Sequence, residues 1–168
     1  LSTGMRRGEI LGLKWTDLNF TDGSLRIARQ VVTAGNELIV QQPKTKSSIR
    51  TILLPPYMVE VLAEMKEKKT CDWMFPSPVK EGEPRNPTSL LHRFKLILQR
   101  SGCKDIRFHD LRHTFATMAI ENGMDIKTLS AMIGHVSAET TLNIYSHITD
   151  TMRKQAAVRI DREIGGEA

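Results

Sequence analysis

Cysteine is scarce in this 168-residue sequence, which contains only Cys71 and Cys103. Neither residue belongs to a CxxC pair or a Cys/His cluster, and this argues against a zinc site. Two isolated cysteines in a domain of this size are typical of free thiols in a reducing compartment. We therefore expect a cytoplasmic protein with no zinc site and no disulfide, and we expect no cofactor.

Long apolar runs are also missing from the sequence. None approaches the roughly 20 consecutive residues that cross a bilayer, and no signal peptide is recognisable, so we expect no membrane association. The hydrophobic fraction of 40% and the charged fraction of 26% are typical of a globular domain. The length fits one domain with a hydrophobic core of its own.

Acidic residues are outnumbered by basic ones, with 19 Asp and Glu against 24 Lys and Arg, which gives a net charge of +5. An excess of positive charge bears on the choice of partner rather than on the fold, and nucleic acid is the commonest partner. A basic surface with no such partner remains the alternative on charge alone.

Hydrophobic periodicity predicts an α+β domain that is mainly helical and carries a small three-stranded antiparallel sheet. Turn signals such as Asp22-Gly23 separate the predicted strands, and a polar turn with two lysines precedes the third. The predicted strands cover 24–32, 37–42 and 49–54. The predicted helices cover 6–13, 57–68, 86–101, 109–121, 125–133, 138–148 and 152–164.

Chemistry-bearing residues are concentrated after position 108. His109 and Arg112 are three positions apart on a predicted helix and therefore share a face, which His113 can join. Histidines spaced like His109 and His113 can bind zinc, but the acidic residue of a metalloprotease helix is missing. Near the start of the chain, Glu9 stands three positions after Arg6, where its carboxylate can hold that arginine.

These residues belong to a set of motifs that occur in a fixed order along the chain. TGMRRGE at 3–9, the lysine-bearing hairpin, HDLRH at 109–113, IGH at 133–135 and Tyr145 follow one another at compatible spacing. Together they resemble the catalytic domain of the tyrosine recombinases, the phage integrase family, from Thr3 to His147. The resemblance is to integrases of conjugative transposons and temperate phages rather than to chromosome-dimer resolvases.

The resemblance implies a role for each matching residue. Tyr145 is the expected nucleophile, and Glu9 is expected to support the first arginine. Lys44 is expected to protonate the leaving oxygen, with Lys46 as the competing assignment. The expected catalytic residues are Arg6, Lys44, His109, Arg112, His135 and Tyr145. Basic residues expected to contact the DNA backbone are Lys46, Arg50, Arg93 and Arg107.

Site-specific DNA recombination is the activity that the resemblance implies. One DNA strand is cleaved through a 3′-phosphotyrosine without a metal, and a mobile element is integrated or excised. The implied partners are double-stranded attachment sites, three further copies in a tetramer on DNA, and accessory DNA-bending proteins. We expect the isolated domain to be a monomer, and we interpret 1–168 as a C-terminal catalytic domain that lacks core-binding and arm-binding domains.

Two alternative functions remain open at this level. A type IB topoisomerase uses a similar set of residues to relax supercoils, and a DNA-binding regulator can keep the fold without the chemistry. The presence of all six expected catalytic residues favours an enzyme over a regulator. The predicted last helix, 152–164, packs either on its own domain or on a neighbouring protomer.

Overall fold

The computed structural model describes residues 2–35, 37–43 and 48–134, together with the isolated positions Lys154, Ala157, Val158 and Asp161. The α+β class is confirmed. The helices are α1 (Arg7–Leu11), α2 (Pro56–Glu67), α3 (Pro87–Arg100), α4 (Asp110–Glu121) and α5 (Ile126–Ile133), with a 3₁₀ turn at Trp15–Asp17. The strands are β1 (Ser24–Ile27), β2 (Gln30–Ala34), β3 (Glu37–Gln41) and β4 (Arg50–Leu53).

The sheet differs in detail from the prediction. Among the described residues, β1 pairs antiparallel with β4 and β2 pairs antiparallel with β3, so two two-stranded ladders replace one three-stranded sheet. The predicted strand at 24–32 is interrupted after Ile27. There the Arg29 guanidinium turns away to donate hydrogen bonds to the Gly12 carbonyl oxygen and the Asp17 carboxylate. These contacts lie at the break between β1 and β2.

Helix α1 lies directly against strand β2. A Cβ atom added at Gly8 would lie 2.7 Å from the Val31 carbonyl oxygen, and one at Gly12 would lie 2.9 Å from the Arg29 carbonyl oxygen. Glycine at these two positions, one helical turn apart, therefore allows the strand backbone to touch the helix. This contact holds α1, and with it the preceding residues Gly4 and Arg6, close to β2.

Two hydrophobic clusters hold the described residues together. The larger one joins the β1–β4 ladder to α2, with Leu25, Ile27 and Ile52 among its buried members. The smaller one joins α4 to α5 through Ala116, Leu129 and Ile133. Helix α5 contacts both α4 and β4, and the seam between the two clusters lies at this helix. No described helix combines the length and the apolar character needed to span a membrane.

The predicted helices agree well with the observed ones. Helix α3 begins where proline stands in the first turn, and the Asn86 side chain accepts a hydrogen bond from the Thr88 N–H. Asp125 caps α5 in the same way, by accepting from the Thr128 N–H. The predicted helix at 138–148 lies outside the described residues. Of the predicted helix at 152–164, four positions are described, and all four are helical.

Candidate active site

Arg112, in the first turn of α4, reaches across the seam to two other parts of the chain. Its Nη1 donates to the carbonyl oxygens of Gly4, at 2.7 Å, and Ile133, at 2.6 Å. Its Nη2 donates to the carbonyl oxygen of Gly134 at 3.2 Å. The carbonyls at the end of α5 have no acceptor role inside that helix, so the guanidinium satisfies them.

Arg6 lies beside Arg112 and shares an acceptor with it. Its Nη2 donates to the Gly134 carbonyl oxygen at 3.1 Å, and its Nη1 donates to Glu9 Oε1 at 2.9 Å. The Arg6 backbone N–H donates to Glu9 Oε2, also at 2.9 Å. The predicted pairing of Arg6 with Glu9 is thus present, and Glu9 holds both the backbone and the side chain of this arginine.

Arg50, the first residue of β4, is the third arginine of the cluster. Its guanidinium forms a two-pronged contact with Glu9, from Nη1 to Oε1 at 3.1 Å and from Nη2 to Oε2 at 2.9 Å. Its Nε donates to the Met132 carbonyl oxygen at 2.6 Å. The side chain is only 7% exposed, so the predicted contact of Arg50 with DNA does not fit this placement.

Two glycines allow close packing around the arginine cluster. Gly4 and Gly134 have φ values of 58° and 70°, a region that residues with a Cβ rarely adopt. A Cβ atom at Gly134 would lie 2.8 Å from Nη1 of Arg50, and one at Gly4 would collide with the Phe115 ring. Both glycines also present their carbonyl oxygens to Arg112.

Positive charge is in excess here. Among the described residues, Glu9 is the one carboxylate that contacts Arg6 and Arg50, and three guanidiniums gather around it and the end of α5. Burial, followed by the charges of Arg6 and Arg50, lowers the pKa of Arg112 to about 10 against the raising effect of Glu9. Burial raises the pKa of Glu9, but Arg50 and Arg6 outweigh it and hold that pKa below its usual value. A site with this imbalance favours an anionic ligand.

His109 joins Arg6 and Arg112 of the cluster at one cavity of about 560 Å³, which Arg7 and Arg107 also help to line. The His109 ring lies 4.9 Å from the His113 ring in an edge-on contact. Burial, with the charges of His113 and Arg112, lowers the pKa of His109 below 6.5. The lowered pKa favours the neutral imidazole, the form that can accept a proton. In the described part of the chain, no cluster of three His, Cys, Asp or Glu side chains is placed to hold a metal ion.

The structure places the other predicted residues as follows. Arg93 is exposed on α3, and Arg107 is exposed and forms an ion pair with Asp110 at 2.9 Å. Lys44, Lys46, His135 and Tyr145 lie outside the described residues.

Sequence reasoning missed the role of Arg50, although a signal was available. Side chains two apart on a strand face the same side. Because Ile52 is buried, Arg50 must point inward with it. The carbonyl acceptors of residues 4 and 132–134 carry no side-chain signal, so they could not be recognised before the structure.

Replacement of Glu9 by glutamine is expected to lower the free energy of unfolding at pH 7 by about 3 kcal/mol, because the buried Arg50 loses its counter-charge. Since the pKa of Glu9 is lowered in the folded state, its contribution is complete above the unfolded pKa of 4.5 and is lost as the pH falls through the folded pKa. Thermal unfolding between about pH 7 and pH 3 measures this effect, and the difference between wild type and E9Q should shrink towards the acid end.

The matched control is E83Q, since Glu83 pairs with Lys80 at the surface, where both side chains are exposed. Its unfolding curve should move by less than about 0.5 kcal/mol at any pH. A constant difference between wild type and E9Q across the pH range would contradict an ionised Glu9 in the folded state.

The chain is similar to known proteins in both sequence and fold. The sequence model described as the phage integrase family matches residues 1–152. A tyrosine recombinase XerC-like protein of Caldanaerobacter subterraneus subsp. tengcongensis is 36% identical, over 92% of this chain and 45% of the relative. The ICEBs1 integrase of Bacillus subtilis is 26% identical, over 95% of this chain and 46% of the relative. The chain thus spans about half the length of these curated relatives.

Solved structures agree with the sequence comparisons. The Tn1549 transposon integrase in complex with transposon right end DNA superposes with a TM-score of 0.74 and 25% identity. The superposition covers 96% of this chain and 56% of that chain. The family match extends over nearly the whole sequence and includes the positions of the arginine cluster, and the chain therefore belongs to the phage integrase family.

Proposed function

We propose that this chain is the catalytic part of a longer site-specific DNA recombinase that integrates or excises a mobile element. The observation that carries the proposal is the pair Arg6 and Arg112 at one open cavity with His109, in a cluster whose positive charge exceeds its negative charge. The names of relatives, an integrase, a recombinase and a transposon integrase bound to DNA, support the same activity.

A phosphodiester under attack spreads negative charge over its non-bridging oxygens, and fixed cations can stabilise that charge. A guanidinium has five N–H donors in a planar fork. Within the described residues, Arg6 donates two side-chain hydrogen bonds and Arg112 donates three. Donors therefore remain on both arginines for phosphate oxygens. This supply of permanent charge is the reason that we propose cleavage without a metal ion.

Tyr145 is the proposed nucleophile. Its phenolic oxygen forms a bond to the scissile phosphorus, and the bond from phosphorus to the 5′ oxygen breaks. The phenolic proton passes to a base, for which the neutral His109 is suited. The phosphoester energy stays in the 3′-phosphotyrosine, so that a 5′ hydroxyl of another strand can reverse the step without ATP. His135 is proposed to donate a hydrogen bond to a phosphate oxygen.

Lys44 is the proposed donor of a proton to the departing 5′ oxygen. We expect K44A to slow cleavage of an ordinary phosphodiester by about 100-fold or more. On a bridging 5′-phosphorothiolate, whose thiolate leaves without a proton, K44A should cleave at nearly the wild-type rate. Single-turnover cleavage of the two substrates measures this difference, with K46A as the matched control. Rescue of K46A instead of K44A would move the role to Lys46.

The proposal extends to the partners of the full-length protein. Double-stranded attachment sites are the substrate, four copies assemble on DNA, and accessory DNA-bending proteins assist. Exposed Arg93 and Arg107 suit contacts with the phosphate backbone, and Arg107 would exchange its Asp110 partner for phosphate. The two isolated cysteines suit a cytoplasmic setting.

The test is a suicide-substrate assay with the full-length protein in which this chain occurs. A nicked duplex with the attachment site is incubated in EDTA, denaturing gels separate covalent adducts, and mass spectrometry maps the modified residue. A 3′-phosphate adduct on Tyr145 is expected. DNA binding with no adduct would overturn the proposal and favour a binding regulator. An adduct with relaxation of supercoils but no strand exchange would favour a topoisomerase.

A further inference from the structure

We propose that Arg50 is a positioning residue of the catalytic centre: it holds Glu9 and the end of α5 in the places from which they orient Arg6 and Arg112. The catalytic effect of this positioning rests on the proposed function. Its structural basis is the set of contacts that Arg50 makes to both supports at once.

The donors of Arg50 are directed to the protein and not to the cavity. Its guanidinium donates four hydrogen bonds within the described residues, to Glu9 twice, to Met132 and to Ser48. Its side chain is 7% exposed, compared with 38% for Arg6. Arg50 is also absent from the lining of the cavity that Arg6, His109 and Arg112 share. A phosphate in that cavity would therefore meet Arg6 and Arg112 but not Arg50.

The first support that Arg50 holds is the Glu9 carboxylate. Glu9 accepts two hydrogen bonds from Arg50 and two from Arg6, and its side chain is 3% exposed. Each Glu9 oxygen thus bridges the two arginines. Because the planar guanidinium of Arg50 holds the Glu9 carboxylate in place, the carboxylate is a fixed acceptor for Arg6. The Arg6 guanidinium is therefore held in a defined orientation.

The second support is the carboxyl end of α5. Arg50 donates to the Met132 carbonyl oxygen. Arg112 donates to the next carbonyl oxygen, that of Ile133, and shares the Gly134 carbonyl oxygen with Arg6. Three successive carbonyls are therefore divided among three arginines. A shift of this helix end would move the acceptors of both arginines that face the cavity.

The chain supplies an internal comparison for this arrangement. Arg29 also joins a carboxylate, that of Asp17, to a backbone carbonyl, that of Gly12, and it is 26% exposed. No described contact links Arg29 to Arg6 or Arg112. The same chemistry therefore occurs both at the candidate active site and away from it, and R29Q is a matched structural control for R50Q.

The experiment compares R50Q, R50K and R29Q in the full-length protein, with DNA affinity and single-turnover cleavage measured separately. R50Q is expected to slow cleavage by about 100-fold, because misplacement of positioned groups by about 1 Å has this effect, while its dissociation constant for DNA changes less than about threefold. R50K keeps the charge without the fork and should be intermediate. R29Q should cleave at nearly the wild-type rate. Cleavage by R50Q at the rate of R29Q would overturn the proposal.

A double variant separates positioning from stability. E9Q/R50Q has no uncompensated buried charge, so its melting temperature should recover towards that of wild type relative to R50Q. Cleavage should remain slow, because neither support of Arg6 is restored. Return of both stability and cleavage in E9Q/R50Q would show that Arg50 acts on stability alone and would overturn the inference.

Arginine NMR tests the positioning role independently of the reaction. In R50Q the Nε–H signals of Arg6 and Arg112 are expected to shift and to exchange faster with water, whereas in R29Q they should keep their wild-type positions. Unchanged signals in R50Q would overturn the inference whatever the DNA chemistry. A different result is possible, in which the signals shift in R50Q but the wild-type protein forms no adduct with DNA. That result would contradict the proposed function and would leave the positioning of the two arginines supported.

Discussion

The Y145F variant is expected to form no covalent adduct with DNA, with a loss of at least about 10⁴-fold in cleavage, because removal of a nucleophile removes the reaction itself. The phenyl ring keeps the shape of the side chain and lacks only the attacking oxygen. Equilibrium binding to the attachment site should therefore change by less than about twofold, since the phosphate contacts that dominate affinity are retained. Adduct formation on denaturing gels and a binding titration measure the two quantities.

The chain provides a matched control for this variant, since it contains only one other tyrosine, Tyr57. Tyr57 is 55% exposed on α2, and its hydroxyl contacts Ser2 and no residue of the arginine cluster. Y57F should cleave at the wild-type rate. An adduct that persists in Y145F would show that the nucleophile has been assigned to the wrong residue, and mapping that adduct would identify the right one.

The R112Q variant is expected to slow cleavage by about 10³-fold, because Arg112 and Arg6 are the two members of the arginine cluster that line the cavity and are proposed to stabilise charge there, and one of them is lost. Some stability should be lost as well, since the carbonyl oxygens of Gly4 and Ile133 lose a donor at 2.7 and 2.6 Å. Melting curves separate this loss from the catalytic one. Cleavage is therefore compared at a temperature where both proteins are folded.

A substrate with less negative charge tests whether R112Q is slow because charge stabilisation is lost. A methylphosphonate at the scissile position carries no negative charge on the phosphorus centre, and it needs fewer cations during attack. The deficit of R112Q should therefore shrink by about tenfold or more on this substrate. R29Q, which lies away from the cavity, should show no such difference between substrates. An equal deficit of R112Q on both substrates would contradict a role for Arg112 in charge stabilisation.

Much of the fold was predictable from local pattern. Helices α2, α3, α4 and α5 begin and end close to the predicted positions, because proline, Asn86 and Asp125 mark their starts and hydrophobic spacing marks their lengths. The division of the sheet was not predictable in the same way. At the break between β1 and β2, Arg29 contacts Gly12 and Asp17, residues that are distant in the sequence and become neighbours only after folding.

The sequence by itself determined the family, because its motifs follow one another in a fixed order along the chain, and it supplied the residues of the proposed catalytic set. It also indicated the Arg6–Glu9 pair, since three positions on a helix fix that contact. Only the tertiary structure decided what the third arginine does. The function of Arg50 depends on the meeting of β4, Glu9 and the last carbonyls of α5, and backbone acceptors leave no trace in a sequence.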